Sequence, residues 1–176
     1  MVSNLEQLKY PIGQFSPPQN IGYNDIKNWI ETIKLFPERL KNEVANLSPD
    51  ALEKTYRPEG WTITQIVHHC ADSHMNSFIR FKLALTEDTP TIKPYFENLW
   101  AQLPEAKHYP IESSIAILEG LHDRWAFLLH NLSNDQLDKH YLHPENNQLL
   151  SLKETIGKYA WHCQHHLAHI KLAKQS

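Results

Sequence analysis

The 176-residue sequence predicts an all-α protein, a single four-helix-bundle domain over residues 1–176. Four long segments carry apolar residues at steps of three and four, the period of a helix with one buried stripe. Two of the four open with a capping box. The composition agrees: 41% of residues are hydrophobic and only 5 are glycine.

Residues 1–23 hold Pro11, Gly13, Pro17, Pro18 and Gly22 and read as an irregular N-terminal arm on the domain. Asn24 is the expected cap of a first helix reaching about Leu47. Its stripe is Ile26, Trp29, Ile30, Ile33, Phe36, Leu40, Val44 and Leu47, with Pro37 inside. A second helix starts after Thr62, whose hydroxyl and the side chain of Gln65 satisfy free N–H groups at its start, and runs to about Thr86. Residues 87–112, with Pro90, Pro94, Pro104 and Pro110, read as irregular. A third helix spans about Ser114 to Leu132. The fourth opens on a second box, Ser151 with Glu154, and runs to about Lys174.

The segments 46–56 and 131–141 match at a constant offset of 85, sharing Asn, Leu, Ser, Asp, Leu, Lys and Tyr. Each follows a long helix and precedes a capped one, so the chain reads as two helix–linker–helix halves.

Twelve histidines are the one compositional excess. Four lie in the string WHCQHHLAH at 161–169: His162, His165, His166 and His169. His68 and His69 pair in the second helix. Residues four apart on a helix stack on one face, so His165 with His169, or His162 with His166, can give two imidazoles to one metal ion. The fourth helix is apolar or histidine almost all round, and periodicity does not choose between the pairs. On the second helix His69 lies on a polar seam with Ser73, Asn76 and Arg80, whereas His68 points away from the core. Three neutral imidazoles leave coordination positions open, the layout of a catalytic site.

Depth gives a topological expectation. His69 lies seven residues, about 10 Å, along its helix, and His165 and His169 lie near the far end of theirs. Antiparallel second and fourth helices bring them level. The second and third helices are then parallel, and 87–112 is a long crossover.

The net charge of −3 and the lack of basic clusters argue against nucleic acid. No apolar run approaches a membrane span, and the N-terminus has no secretory apolar core. Cys70 and Cys163 fall inside predicted helices and read as reduced, buried thiols of a cytoplasmic protein.

The chain resembles the DinB-like superfamily, most closely its YfiT-type metal-dependent hydrolases. The resemblance runs through Tyr10–Gly13, Gly60–Thr62, Val67–His69, Ala71–Ser77, Ile79–Leu83, Thr89–Pro90, Pro94–Tyr95, Leu121–His122, Arg124–Trp125, Tyr141, His143–Pro144 and the histidine-rich fourth helix. It implies an up-down-down-up bundle and one divalent metal, zinc or nickel, per subunit. The ligands it implies are His69, His165 and His169. It also implies a homodimer, in keeping with the arm and with the aromatics Tyr95, Phe96 and Trp100, which would form an apolar patch unless covered. A small-molecule substrate is expected, with hydrolysis by activated water. Some relatives instead transfer low-molecular-weight thiols, so an S-transferase is the alternative, and a metal-binding stress protein without turnover is a second. Asp72, one turn after His69, is a candidate to orient a ligand, and Arg80 to hold an anionic substrate.

Overall fold

The computed structural model describes residues 4–145 and 147–176; residues 1–3 of the expected arm lie outside it. The main helices are α2 (Tyr23–Val44), α4 (Ile63–Thr86), α7 (Glu112–His130) and α9 (Leu152–Gln175). Shorter elements join them: α1 (Asn4–Lys9), α3 (Pro49–Leu52), α5 (Glu97–Trp100), α6 (Pro104–His108), α8 (Asn134–Leu137) and a hairpin of β1 (His140–His143) and β2 (Gln148–Ser151). No helix among the described residues is long and apolar enough to cross a membrane.

Both expected capping boxes form. The Thr62 hydroxyl accepts from Gln65 N and Gln65 Oε1 accepts from Thr62 N; Ser151 and Glu154 do the same for α9. The first helix starts earlier than its Asn24 cap predicts. Gly22 is its N-cap, and Asp25 Oδ2 accepts from the Gly22 N–H at 2.9 Å.

Side-chain contacts fix the relative directions. Lys174 pairs with Glu43 at 2.8 Å near the ends of α9 and α2, and Trp29 packs on Gly157 near their starts, so these two run in parallel. Lys41 with Glu119 and Glu31 with His130 make α2 and α7 antiparallel. His68 with Ser114 and His74 with His122 make α4 and α7 parallel. His69 with His162 and Ser73 with Tyr159 make α4 and α9 antiparallel. The core between them is apolar, with Ile33, Phe36, Leu40, Ile63, Ile66, Phe81, Leu118, Trp125, Leu152, Ile156 and Ile170 fully buried.

Parallel α4 and α7 require the chain to return the length of the bundle between them. Residues 87–111 do this, but they are not irregular throughout. They hold α5 and α6 and are tied down by Gln65 Nε2 donating to Ala101 O at 2.7 Å. The arm also departs from the expectation, since it contains α1. Trp161 Nε1 donates to Gly13 O at 3.0 Å and holds the arm on α9.

The two linkers are structural echoes. Ser48 caps α3 and Ser133 caps α8. Ile63 N then donates to Lys54 O at 3.1 Å, and Leu152 N to Lys139 O at 2.9 Å, closing each linker on the helix that follows. The second linker is longer and folds as the β1–β2 hairpin, which the sequence reading does not contain. Its strands, His-Tyr-Leu-His and Gln-Leu-Leu-Ser, place two apolar residues side by side and so carry no alternating signal.

Candidate metal centre

The antiparallel crossing of α4 and α9 sets His69 against the middle of α9. His162 and His166, one turn apart, face it. His162 Nε2 lies 3.3 Å from His69 Nε2 and 3.2 Å from His166 Nε2. The three residues can each offer a ligand atom, all within 4.8 Å of one another. Three nitrogens bound at 2.0–2.1 Å around one tetrahedral ion stand about 3.3 Å apart, so the spacing fits a divalent cation. His69 and His166 are buried and His162 is partly so. Trp61 packs on the His69 ring, 4.6 Å between centroids.

Burial also prepares the donors. It pushes His69 down to about 4, with His169 adding to the effect. His162 and His166 are held well below the ordinary imidazole range, first by burial and then by their neighbouring imidazoles. All three are therefore neutral at physiological pH, the state that binds metal.

This set differs from the His69, His165 and His169 expected from the resemblance. His165 and His169 line the same cavity but turn toward the arm and the first linker. His165 stacks on Trp161, with centroids 4.4 Å apart, and His169 stacks on Tyr56 at 3.9 Å. His169 Nε2 also donates to Lys9 O at 3.0 Å, which occupies that nitrogen. The arm and linker that engage these two residues are remote in sequence, so no local pattern reveals them.

His68 is not turned to solvent. Residues 104–114 cover it, with its Nδ1 2.7 Å from Ser114 Oγ and its Nε2 3.0 Å from Tyr109 O. Cys70 and Cys163 are buried, and burial raises both thiols far above their usual range. Asp72 makes no hydrogen bond from its carboxylate to a candidate ligand among the described residues; burial, then Glu105, raises it to about 6. The contact to His162 instead comes from His74, whose Nε2 lies 3.0 Å from His162 Nδ1. His74 Nδ1 is in turn 2.7 Å from His122 Nε2. Sequence reasoning misses both. They lie off the i, i+4 spacing, and only the α4–α7 packing joins them.

Two cavities meet at this centre. One, of 460 Å³, opens between the arm and the first linker and is lined by all five histidines 69, 162, 165, 166 and 169. The other, of 410 Å³, lies along α4 and α9 and is lined by Ser73, Arg80, Glu97, His143, Lys158 and Tyr159 among others. His162, Glu97 and Asn98 border both. Arg80 makes no ion pair among the described residues. Burial, then Arg80, lowers both Lys158 and His143. Burial raises Glu97.

The sequence pattern of the DinB superfamily matches residues 32–170. A Bacillus subtilis (strain 168) protein carrying the name "Putative metal-dependent hydrolase YfiT" is 43% identical over 163 residues, covering 93% of this chain and 92% of that one. A Bacillus cereus (strain 03BB102) protein named "Putative metal-dependent hydrolase" is 48% identical over 166 residues, 94% and 95% of the two chains. The solved structure of the Bacillus subtilis YfiT protein is described as a probable metal-dependent hydrolase with an unusual four-helix bundle topology. It superposes with a TM-score of 0.93 at 42% identity, covering 96% of this chain and 97% of that one. The mycothiol-dependent maleylpyruvate isomerase shares the fold alone, with a TM-score of 0.61 at 15% identity over 83% of this chain and 63% of that one.

Proposed function

From the premise that this chain belongs to the DinB superfamily, we propose that it is a metal-dependent hydrolase acting on a small molecule, with His69, His162 and His166 holding one divalent cation. The convergence of three Nε2 atoms at the junction of two cavities carries this reading. The relatives' names support it.

Held by the three neutral imidazoles of His69, His162 and His166, a divalent cation would keep its full double charge and would supply Lewis-acid chemistry, the acidification of water or thiol. The chain's residues supply the rest. The cavity volumes suit a small molecule rather than a polymer. Arg80 and Lys158 supply positive charge to the cavity along α4 and α9. Glu97 borders both cavities, and its raised pKa suits it to take up a proton beside the centre.

The test is a reaction panel on protein purified without a histidine tag and loaded with zinc or nickel. Esters and amides are offered in water, and electrophiles are offered with a low-molecular-weight thiol. Hydrolysis that stops with chelator, returns with metal and is absent from His166→Leu is the expected result. Turnover only when thiol is present moves the assignment to the S-transferase reading. Turnover that survives complete metal removal contradicts both.

A further inference from the structure

A proline in the middle of a helix removes one N–H from the backbone ladder and orphans the carbonyl four residues earlier. Pro37 lies inside α2, and the carbonyl it frees is that of Ile33. That carbonyl does not go without a partner: His122 Nδ1 reaches it at 2.6 Å. From there the ring atoms continue in line. His122 Nε2 meets His74 Nδ1 at 2.7 Å, and His74 Nε2 meets His162 Nδ1 at 3.0 Å.

The donor and acceptor roles along this string follow from one end. A carbonyl only accepts, so His122 Nδ1 carries the proton. His122 is 1% exposed and His74 is fully buried, among Phe36, Trp125 and Tyr159, with no carboxylate against either ring among the described residues. Both are neutral, with one proton each. His122 Nε2 is then a lone pair and must receive the His74 Nδ1 proton. His74 Nε2 is a lone pair in its turn and must receive the His162 Nδ1 proton. His162 is left with a bare Nε2, the atom that faces His69 and His166.

We infer that His122 and His74 are positioning residues, anchored on the carbonyl that Pro37 frees, which hold His162 in the tautomer and ring orientation that presents Nε2 to a divalent cation. The inference rests on the metal-centre reading above. It ties an unfavourable helix residue to the centre through two intervening imidazoles. Partners of this kind beyond the ligands themselves change metal affinity by about 10–100-fold when removed.

Zinc affinity, measured by competition with a chromophoric chelator, and imidazole nitrogen spectra of the zinc-free protein test it together. In the unaltered protein the spectra should show the proton on Nδ1 of His122, His74 and His162. His122→Phe keeps an aromatic ring in the core but ends the string. It should stay helical and bind zinc about 10–100-fold more weakly. Pro37→Ala returns an N–H to compete for the Ile33 carbonyl. It should raise the unfolding midpoint, since Ala is the better helix residue, yet weaken zinc binding; a merely structural proline would not separate the two. A proton on Nε2 of His162 in the unaltered protein overturns the inference. So does unchanged zinc affinity in both folded variants, which leaves the three-histidine centre standing. If the unaltered protein binds neither zinc nor nickel, the centre itself fails and the inference with it.

Discussion

His162 and His166 lie one turn apart on α9 with their Nε2 atoms 3.2 Å from each other, and both face His69 on α4. The neighbouring pair, His165 and His169, has the same spacing along the helix but a different set of partners. Its rings stack on Trp161 and Tyr56 beneath the arm and first linker. Helical phase is thus converted into chemistry only by what the rest of the chain lays over each face.

The buried imidazoles make the fold sensitive to acid, and His122 shows the sign. Burial brings it from the ordinary 6.5 to about 4. Between those values the unfolded chain binds more protons at this position than the folded one. Its contribution is therefore complete above pH 6.5 and is lost as pH falls toward 4. Each such proton is worth about 1.4 kcal/mol per pH unit. Urea unfolding at pH 7 and pH 5 should show a marked loss in acid, and His122→Phe should show a shallower pH dependence. Equal slopes in the two proteins would remove His122 as a source.

The cysteines should be dispensable for chemistry. Burial keeps Cys70 and Cys163 protonated and away from solvent. In any reaction found for the metal-loaded protein, Cys70→Ala and Cys163→Ala should keep turnover within a few-fold of the unaltered protein, apart from modest packing losses. Abolished turnover in a folded, metal-replete variant would point to a thiol nucleophile.

The core prediction contrasts two residues on α7. Leu118 is fully buried, so Leu118→Ala should cost about 2–5 kcal/mol in urea unfolding. Phe127 is 73% exposed, and Phe127→Ala should change stability by only about 0.5 kcal/mol. Similar losses in both would contradict the assigned facing of α7.

Much of the frame was legible in the sequence because its signals are local. Thr62 with Gln65 and Ser151 with Glu154 mark the starts of α4 and α9, and the repeated Asn-Leu-Ser segment marks both linkers. The seam position singled out His69, and α4 does turn its ring toward His162 on α9. The choice within α9 was not, because a helix that is histidine or apolar on nearly every face carries no phase. His74 and His122 were hidden for a related reason: a buried histidine reads as a packing residue until a second element brings its partner. Pro37 was visible as a helix irregularity, but its consequence lies across the bundle, at His122.

Anomalous diffraction at the metal absorption edge, from crystals of zinc- or nickel-loaded protein, tests the central claim most directly. One peak per chain is expected, about 2.0–2.1 Å from Nε2 of His69, His162 and His166. A peak bound between His165 and His169, with His162 and His166 unliganded, would contradict it.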